Sequence, residues 1–244
     1  MTYKLLTINN PKILKGRKVD DRYITSILHM KPINTKICPY QDIAGCKVAC
    51  LNTAGRGGII KRGETTNVIQ EARKRKTNLY LNDRPSFMEQ LLTDIGKFVR
   101  YCANKDKRPA VRLNGTSDIQ YEKIKYDDKN VFEHFPDVQF YDYTKIPTRK
   151  VEGIDNYHLT WSYSEASQKY ADYFDTIKYN IAVVFNTKVL PIFWKGKEVI
   201  DGDESDLRFL DRQNVIVGLK AKGKAKQDMS GFVIHVWYSK VLNR

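Results

Sequence analysis

Apolar residues recur every three or four positions at Phe87, Leu91, Ile95, Phe98, Val99 and Cys102, the spacing that lays one stripe along a helix. Pro85 stands where it can open that helix in its first turn, and Cys102 falls on the core face. The preceding stretch, Thr65 to Asn78, is polar and basic around Glu71, and predicts an exposed helix. Beyond residue 105 the pattern changes to short extended segments: Val111 to Asn114, Val138 to Tyr143, His158 to Tyr163, Ile181 to Phe185, Val215 to Leu219, and Phe232 to Tyr238. Between the third and fourth, Glu165 to Lys178 places Tyr170, Tyr173, Phe174 and Ile177 on one helical face.

Strands alternating with helical stretches about 20 to 25 residues apart predict an α/β fold with a mainly parallel sheet, open or curled into a partial (βα) barrel. The last hydrophobic stretch is expected to add an antiparallel edge. No linker, repeat or composition shift divides the chain, so residues 1–244 read as one domain whose first 60 residues form an irregular, cysteine-bearing segment. In such sheets ligands gather beyond the carboxyl ends of the strands. The polar residues there are Asn114, Thr116, Ser117 and Asp118, then Asp142, Thr144 and Lys145, then Ser162, Ser164 and Glu165.

The apolar runs are far shorter than the roughly 20 residues needed to cross a bilayer. The first ten residues lack the apolar core and cleavage site of a secretion signal, so a soluble protein of the reducing cytoplasm is expected. That setting disfavours disulfides for the four cysteines. Cys38, Cys46 and Cys50 form C-x7-C-x3-C, with the last two thiols placed to share a helical face and the first arriving from a preceding loop. Three soft thiolates suit zinc or an iron–sulfur cluster. Zinc would take His29 or Cys102 as its fourth ligand and act as a structural staple. A four-iron cluster would leave one iron open. Packed, unliganded cysteines are the third reading.

The charge balance is 42 Lys+Arg against 28 Asp+Glu, a formal +14, which points to a polyanionic partner. Three basic groups carry it: Arg56 with Lys61 and Arg62; Arg73, Lys74, Arg75 and Lys76; and Lys220, Lys222, Lys224 and Lys226, which would form a one-sided ladder if extended. Fifteen Tyr, ten Phe and three Trp could add stacking platforms for bases, unless they fill the core. Gly55-Arg56-Gly57-Gly58 could offer backbone N–H groups to an anion or be a plain turn. Against this background Asp201, Asp203, Glu204, Asp206 and Asp211 form an acidic cluster around Arg208. Asp201, Asp203 and Asp206 could hold a divalent cation for phosphodiester cleavage, or Asp203, Asp206 and Arg208 could contact a base edge, ribose or phosphate. Glu204 and Asp211 fit a local turn. The four histidines, His29, His134, His158 and His235, sit in no nucleophile motif, and no P-loop or dinucleotide fingerprint is present.

Four blocks carry a family likeness: Cys38-Pro39-Tyr40 through Cys46 and Cys50; Arg112 to Asp118; Phe140 to Lys145; and Leu159 to Glu165. With Ile200 to Asp203 and Asp206 to Phe209, they resemble the phage gene-product-eighty-eight family over most of the chain. That group is in turn distantly similar to radical S-adenosylmethionine enzymes, which hold a four-iron, four-sulfur cluster at three cysteines on a partial (βα) barrel. Those enzymes usually carry C-x3-C-x2-C where this chain has C-x7-C-x3-C. The resemblance implies a [4Fe-4S] cluster at Cys38, Cys46 and Cys50, and S-adenosylmethionine only in lesser measure. The expectation is an iron–sulfur protein that binds or acts on nucleic acid, DNA before RNA, with Asp118, Asp142, Lys145, Glu165, Asp201, Asp203, Asp206 and Arg208 as pocket candidates. A non-catalytic binding module with a structural zinc or cluster, and a divalent-metal nuclease, are the alternatives.

Overall fold

In the computed structural model the described residues are 4–8, 14, 18–47, 49–53 and 55–236. They build one ten-stranded sheet. Its strands are β1 (Leu6–Thr7), β2 (Tyr23–Leu28), β3 (Arg108–Arg112), β4 (Gln139–Thr144), β5 (Tyr157–Ser162), β6 (Asn180–Phe185), β7 (Phe193–Trp194), β8 (Lys197–Asp201), β9 (Ile216–Lys220) and β10 (Val233–Ile234). The order along the sheet is β1-β2-β3-β4-β5-β6-β9-β8-β7, with β10 added beside β6. From β2 to β8 every neighbouring pair is parallel, and only β1 and β7 run antiparallel at the two ends.

Two helices fill the β2–β3 crossover, α1 (Val68–Asn82) and α2 (Arg84–Ala103). Asn67 starts α1, its side-chain oxygen accepting from the Ile69 and Gln70 N–H groups. Asp83 caps α2, Arg84 and Pro85 forming its first turn. Phe87, Met88, Leu91, Ile95, Phe98 and Cys102 are the buried face of α2. They pack on Ile24, Leu28, Val111, Leu113, Phe140 and Leu159, one face of the sheet. Cys102 is thus core, as its spacing predicts, and leaves the zinc reading without that ligand.

Several expectations are corrected. The first 60 residues are not wholly irregular: β2 lies among them and all six of its residues are buried. The strand expected at Val111 ends at Arg112, because Asn114 is drawn out of the ladder by Asp142. The helix expected over Glu165 to Lys178 is one α-turn, α4 (Gln168–Ala171), followed by a 3-10 stretch, Asp172–Thr176; α3 (Val131–His134) is equally short. β10 pairs parallel with Val184 and Phe185, not antiparallel, and residues 237–238 of its expected range lie outside the described residues. Most crossovers therefore carry no long helix to cover the sheet, and the path stays open rather than closing on itself. Among the described residues no helix is long and apolar enough to cross a membrane.

Candidate functional site

The segment from Met30 to Cys50 lies across the carboxyl ends of β3, β4 and β5. Four hydrogen bonds to its carbonyls hold it there, and a fifth fixes the end of β2 just before it. Gly115 N–H donates to Leu28 O at 3.0 Å, and the Thr116 hydroxyl to Met30 O at 2.6 Å. Asp118 N–H donates to Ile37 O at 2.8 Å, the Ser164 hydroxyl to Ala44 O at 2.7 Å, and the Ser230 hydroxyl to Gly45 O at 3.1 Å. Gly45 has φ +62°, and a Cβ there would stand 2.6 Å from Ala166 Cβ, so only glycine allows this approach. Among its described residues the segment runs through turns and bends with no helix, so the shared helical face expected for Cys46 and Cys50 is not seen there.

The three thiols nevertheless share one electrostatic neighbourhood. Burial pushes the Cys38 thiol up, and Asp118, Cys50 and Cys46 push it the same way. Cys46 and Cys50 are also raised by burial; Lys145 opposes the shift at Cys46, and Asn52 N–H and then Arg73 oppose it at Cys50. The metal-free thiols therefore hold their protons at neutral pH, and a soft metal would have to displace them. The donor set suits such a metal in kind. Among the described residues, however, no three Cys, His, Asp or Glu side chains stand in a metal-ligating arrangement. His29 is not among the groups that act on the three thiols; burial, with Arg73, Arg112 and Lys76, lowers its pKa to about 3.

Lys145 stands beside Cys46. Its ammonium donates to Ser162 O at 2.9 Å and Tyr163 O at 3.2 Å and lies 4.3 Å from the Phe232 ring centroid. Burial lowers its pKa to about 8, with Cys46 and Asp118 holding it up. Tyr170 donates to both Lys145 O and Ser162 O at 2.9 Å, tying the ends of β4 and β5 together. This places a cation of reduced proton affinity next to a thiol.

The other carboxyl-edge candidates are tied into the framework. Asp118 accepts from the Thr144 hydroxyl at 2.8 Å and the Lys145 N–H at 2.6 Å, and pairs with Arg149 at 3.3 Å. Arg149, a residue the sequence reading passed over, also binds Glu122 at 2.7 Å and the Tyr157 hydroxyl at 2.8 Å. Asp142 is fully buried and accepts from Asn114 N–H, Asn114 Nδ2 and the Tyr157 hydroxyl. Burial pushes it up to about 6 against Arg112 and Arg149. Glu165 is exposed and pairs with Lys195 at 3.2 Å.

The acidic cluster divides in two. Asp201 pairs with Lys220 at 3.2 Å, and Asp203 with Lys222. That also dissolves the expected lysine ladder, since β9 ends at Lys220 and Gly223–Gln227 turns as a 3-10 helix that leaves Lys224 and Lys226 exposed. Asp206 pairs with Arg112 at 3.1 Å, and Arg208 with Asp211 at 3.1 Å, both beneath the 205–211 segment. Of the remaining basic residues, Arg56, Arg62, Lys74 and Arg75 are exposed. Arg73 bonds Asn52 O at 2.7 Å, and the buried Lys76 donates to Leu5 O at 2.6 Å. Gly55–Gly58 is a 3-10 turn whose Gly57 carbonyl is taken by Gln70 at 2.8 Å.

No curated protein and no solved structure matches this chain. A family model does, described as gene product 88 and aligned with residues 4–236, which takes in the cysteine segment, the whole sheet and the 205–211 cover. On that near full-length match the chain belongs to the gene product 88 family.

Proposed function

We propose that this chain is an iron–sulfur protein that binds or acts on nucleic acid in the cytoplasm, with Cys38, Cys46 and Cys50 holding a [4Fe-4S] cluster at the carboxyl edge of the sheet. The observation that carries the reading is that Cys46 and Cys50 both act on the Cys38 thiol, and Cys46 on Cys50, at the sheet edge where parallel α/β folds bind ligands. Ligation would require the three thiol side chains to turn towards one another on the anchored segment. Bound there, the cluster would supply an iron without a protein ligand, where a small molecule such as S-adenosylmethionine could attach. Lys145 is the residue best placed to donate a hydrogen bond to a cluster or its ligand. Asp118 orients Lys145 through its backbone N–H. The curl of the sheet into a partial barrel is part of the same proposal.

A purely structural zinc gains less support, because the segment is already anchored by hydrogen bonds to Ile37 O, Ala44 O and Gly45 O. The divalent-metal nuclease loses Asp201 and Asp203 to their lysine partners. Arg56, Arg62, Lys74 and Arg75 remain as an exposed basic flank for a nucleic-acid backbone, DNA being the expected polymer.

The test is anaerobic purification followed by iron, acid-labile sulfide and zinc determination with a visible spectrum. The proposal expects about four irons and four sulfides per chain and their loss in Cys46→Ser. Zinc alone, or full iron in Cys46→Ser, would overturn the cluster. Oligonucleotide titrations in rising salt test the polymer: affinity falling with salt, and weakened in Lys74→Glu/Arg75→Glu, is expected. Absence of binding at low salt would remove nucleic acid as the partner.

A further inference from the structure

The sheet face opposite α1 and α2 carries a polar layer beneath the 205–211 segment. Parallel register sets Tyr141 beside His158 and Tyr143 beside Thr160 on that face. Leu207 packs with Tyr23, Ala110 and Tyr141, and Phe209 lies edge-on to Tyr23 at 5.0 Å. These two anchors press Arg208 inward until it is 1% exposed. Arg112 is 6% exposed and lies 4.8 Å from the Tyr143 ring centroid. The charges of Arg208, Asp206, Arg112 and Asp211 all act on the Tyr143 hydroxyl, and that of Arg208 on His158, so the groups occupy one neighbourhood.

Their hydrogen bonding does not balance. Arg112 Nε, Arg208 Nε and Arg208 Nη1 are buried N–H donors without a hydrogen-bond partner, Arg112 Nε lying 3.9 Å from Asp142 Oδ1 as an ion pair, and the Tyr143 and Thr160 hydroxyls and His158 Nε2, which can donate or accept, are buried and unbonded on the same face. The single acceptor-only atom left over is Asp211 Oδ2, which the Arg208 Nη1 already neutralises as an ion pair at 3.1 Å. Buried polar groups in folded proteins are nearly always bonded, so a concentration of unmet donors calls for an acceptor. A guanidinium is an especially good donor to an oxyanion.

We infer that Arg112, Tyr143, Thr160 and Arg208 form a binding site for a small tetrahedral oxyanion, of phosphate size and charge, held between the sheet and the 205–211 segment. Asp142, Asp206 and Asp211 neutralise the two guanidinium charges, which leaves hydrogen-bond donation as the attraction. The anion reaches the layer from the rim where Tyr143, His158 and Asp211 are part-exposed. It binds independently of the cysteine segment.

The test is thermal unfolding of the full chain in inorganic phosphate, in sulfate, and in chloride matched for ionic strength, with Tyr143→Phe, Thr160→Val and Arg208→Lys alongside. A saturable rise of the midpoint in phosphate or sulfate over chloride is expected, roughly 5–10 °C at a hundredfold excess over the dissociation constant. Tyr143→Phe and Thr160→Val, whose folding is read from their midpoints in chloride, should weaken phosphate binding about three- to tenfold each. Arg208→Lys should abolish it. An arm with a nucleoside monophosphate separates the sources: a stronger effect than phosphate assigns a nucleotide, a weaker one the free ion. Equal midpoints in phosphate and chloride, or an equal rise in wild type and both hydroxyl variants, would overturn the site and leave water as the partner of these donors. Metal content, measured on the same samples, reports on the cysteine centre separately.

Discussion

Replacing Arg149 with Met would leave two buried carboxylates without their cation. Arg149 is 2% exposed, and the Asp118 and Glu122 side chains it joins are 7% and 6% exposed. Its guanidinium makes a two-point contact with Glu122, Nε at 2.9 Å and Nη2 at 2.7 Å, and its other contacts are Asp118, Ile119 O and the Tyr157 hydroxyl. Removing one member of a buried pair costs about 3–5 kcal/mol, mostly the stranded charge of the other. Against a total stability of about 5–15 kcal/mol this is a large share. At about 2–4 °C per kcal/mol for a chain of this size, the midpoint should fall by roughly 6–20 °C at pH 7. The deficit should narrow as pH falls, as the stranded Asp118, whose carboxyl burial already raises, takes up a proton. Arg149→Lys keeps the charge but loses the planar fork, and should fall between. Thermal and urea melts followed by circular dichroism measure both. An Arg149→Met midpoint within about 2 °C of wild type, with no change in its pH dependence, would refute the view that this network holds the carboxyl edge.

Three further outcomes are expected. Burial holds His29 at about 3 and His158 at about 4, below the unfolded value of about 6.5, so their contribution to stability is full above pH 6.5 and is lost as pH falls. Asp142 and Asp211, pushed up to about 6, act in the opposite sense over the same range, so the comparison must be made at one site. His29→Gln should lose less stability than wild type between pH 6.5 and 4.5 in urea melts; parallel curves would contradict the assignment. Asn67→Ala removes the α1 cap and its 2.8 Å tie to Ile59 O, and should cost about 1 kcal/mol in chemical denaturation. Gly45→Ala should lower the midpoint and speed the reaction of Cys46 with a disulfide reagent, since the new methyl pushes the segment off Ala166; unchanged labelling would count against the close approach.

The sequence alone determined what local chemistry decides. The α2 stripe ending in Cys102, the five central strands within a few residues, and the family were legible because helical spacing, strand runs and motif blocks are properties of neighbours in the chain. β2 was missed because a strand buried on both faces does not alternate, and it falls within the first 60 residues, which read as irregular. The expected helix from Glu165 shortened where the tertiary bonds of Tyr170 to the ends of β4 and β5 set the path. Charge partners were settled only in three dimensions. Lys220 with Asp201, Lys222 with Asp203, Arg112 with Asp206 and Arg149 with Asp118 lie 19 to 94 residues apart in the chain. A sequence displays which charges exist, whereas the parallel crossovers decide which of them meet and so which are spent on structure. The same crossovers turn Arg112 and Arg208 inward onto one polar layer, because only folding fixes which side of the sheet each segment must cover.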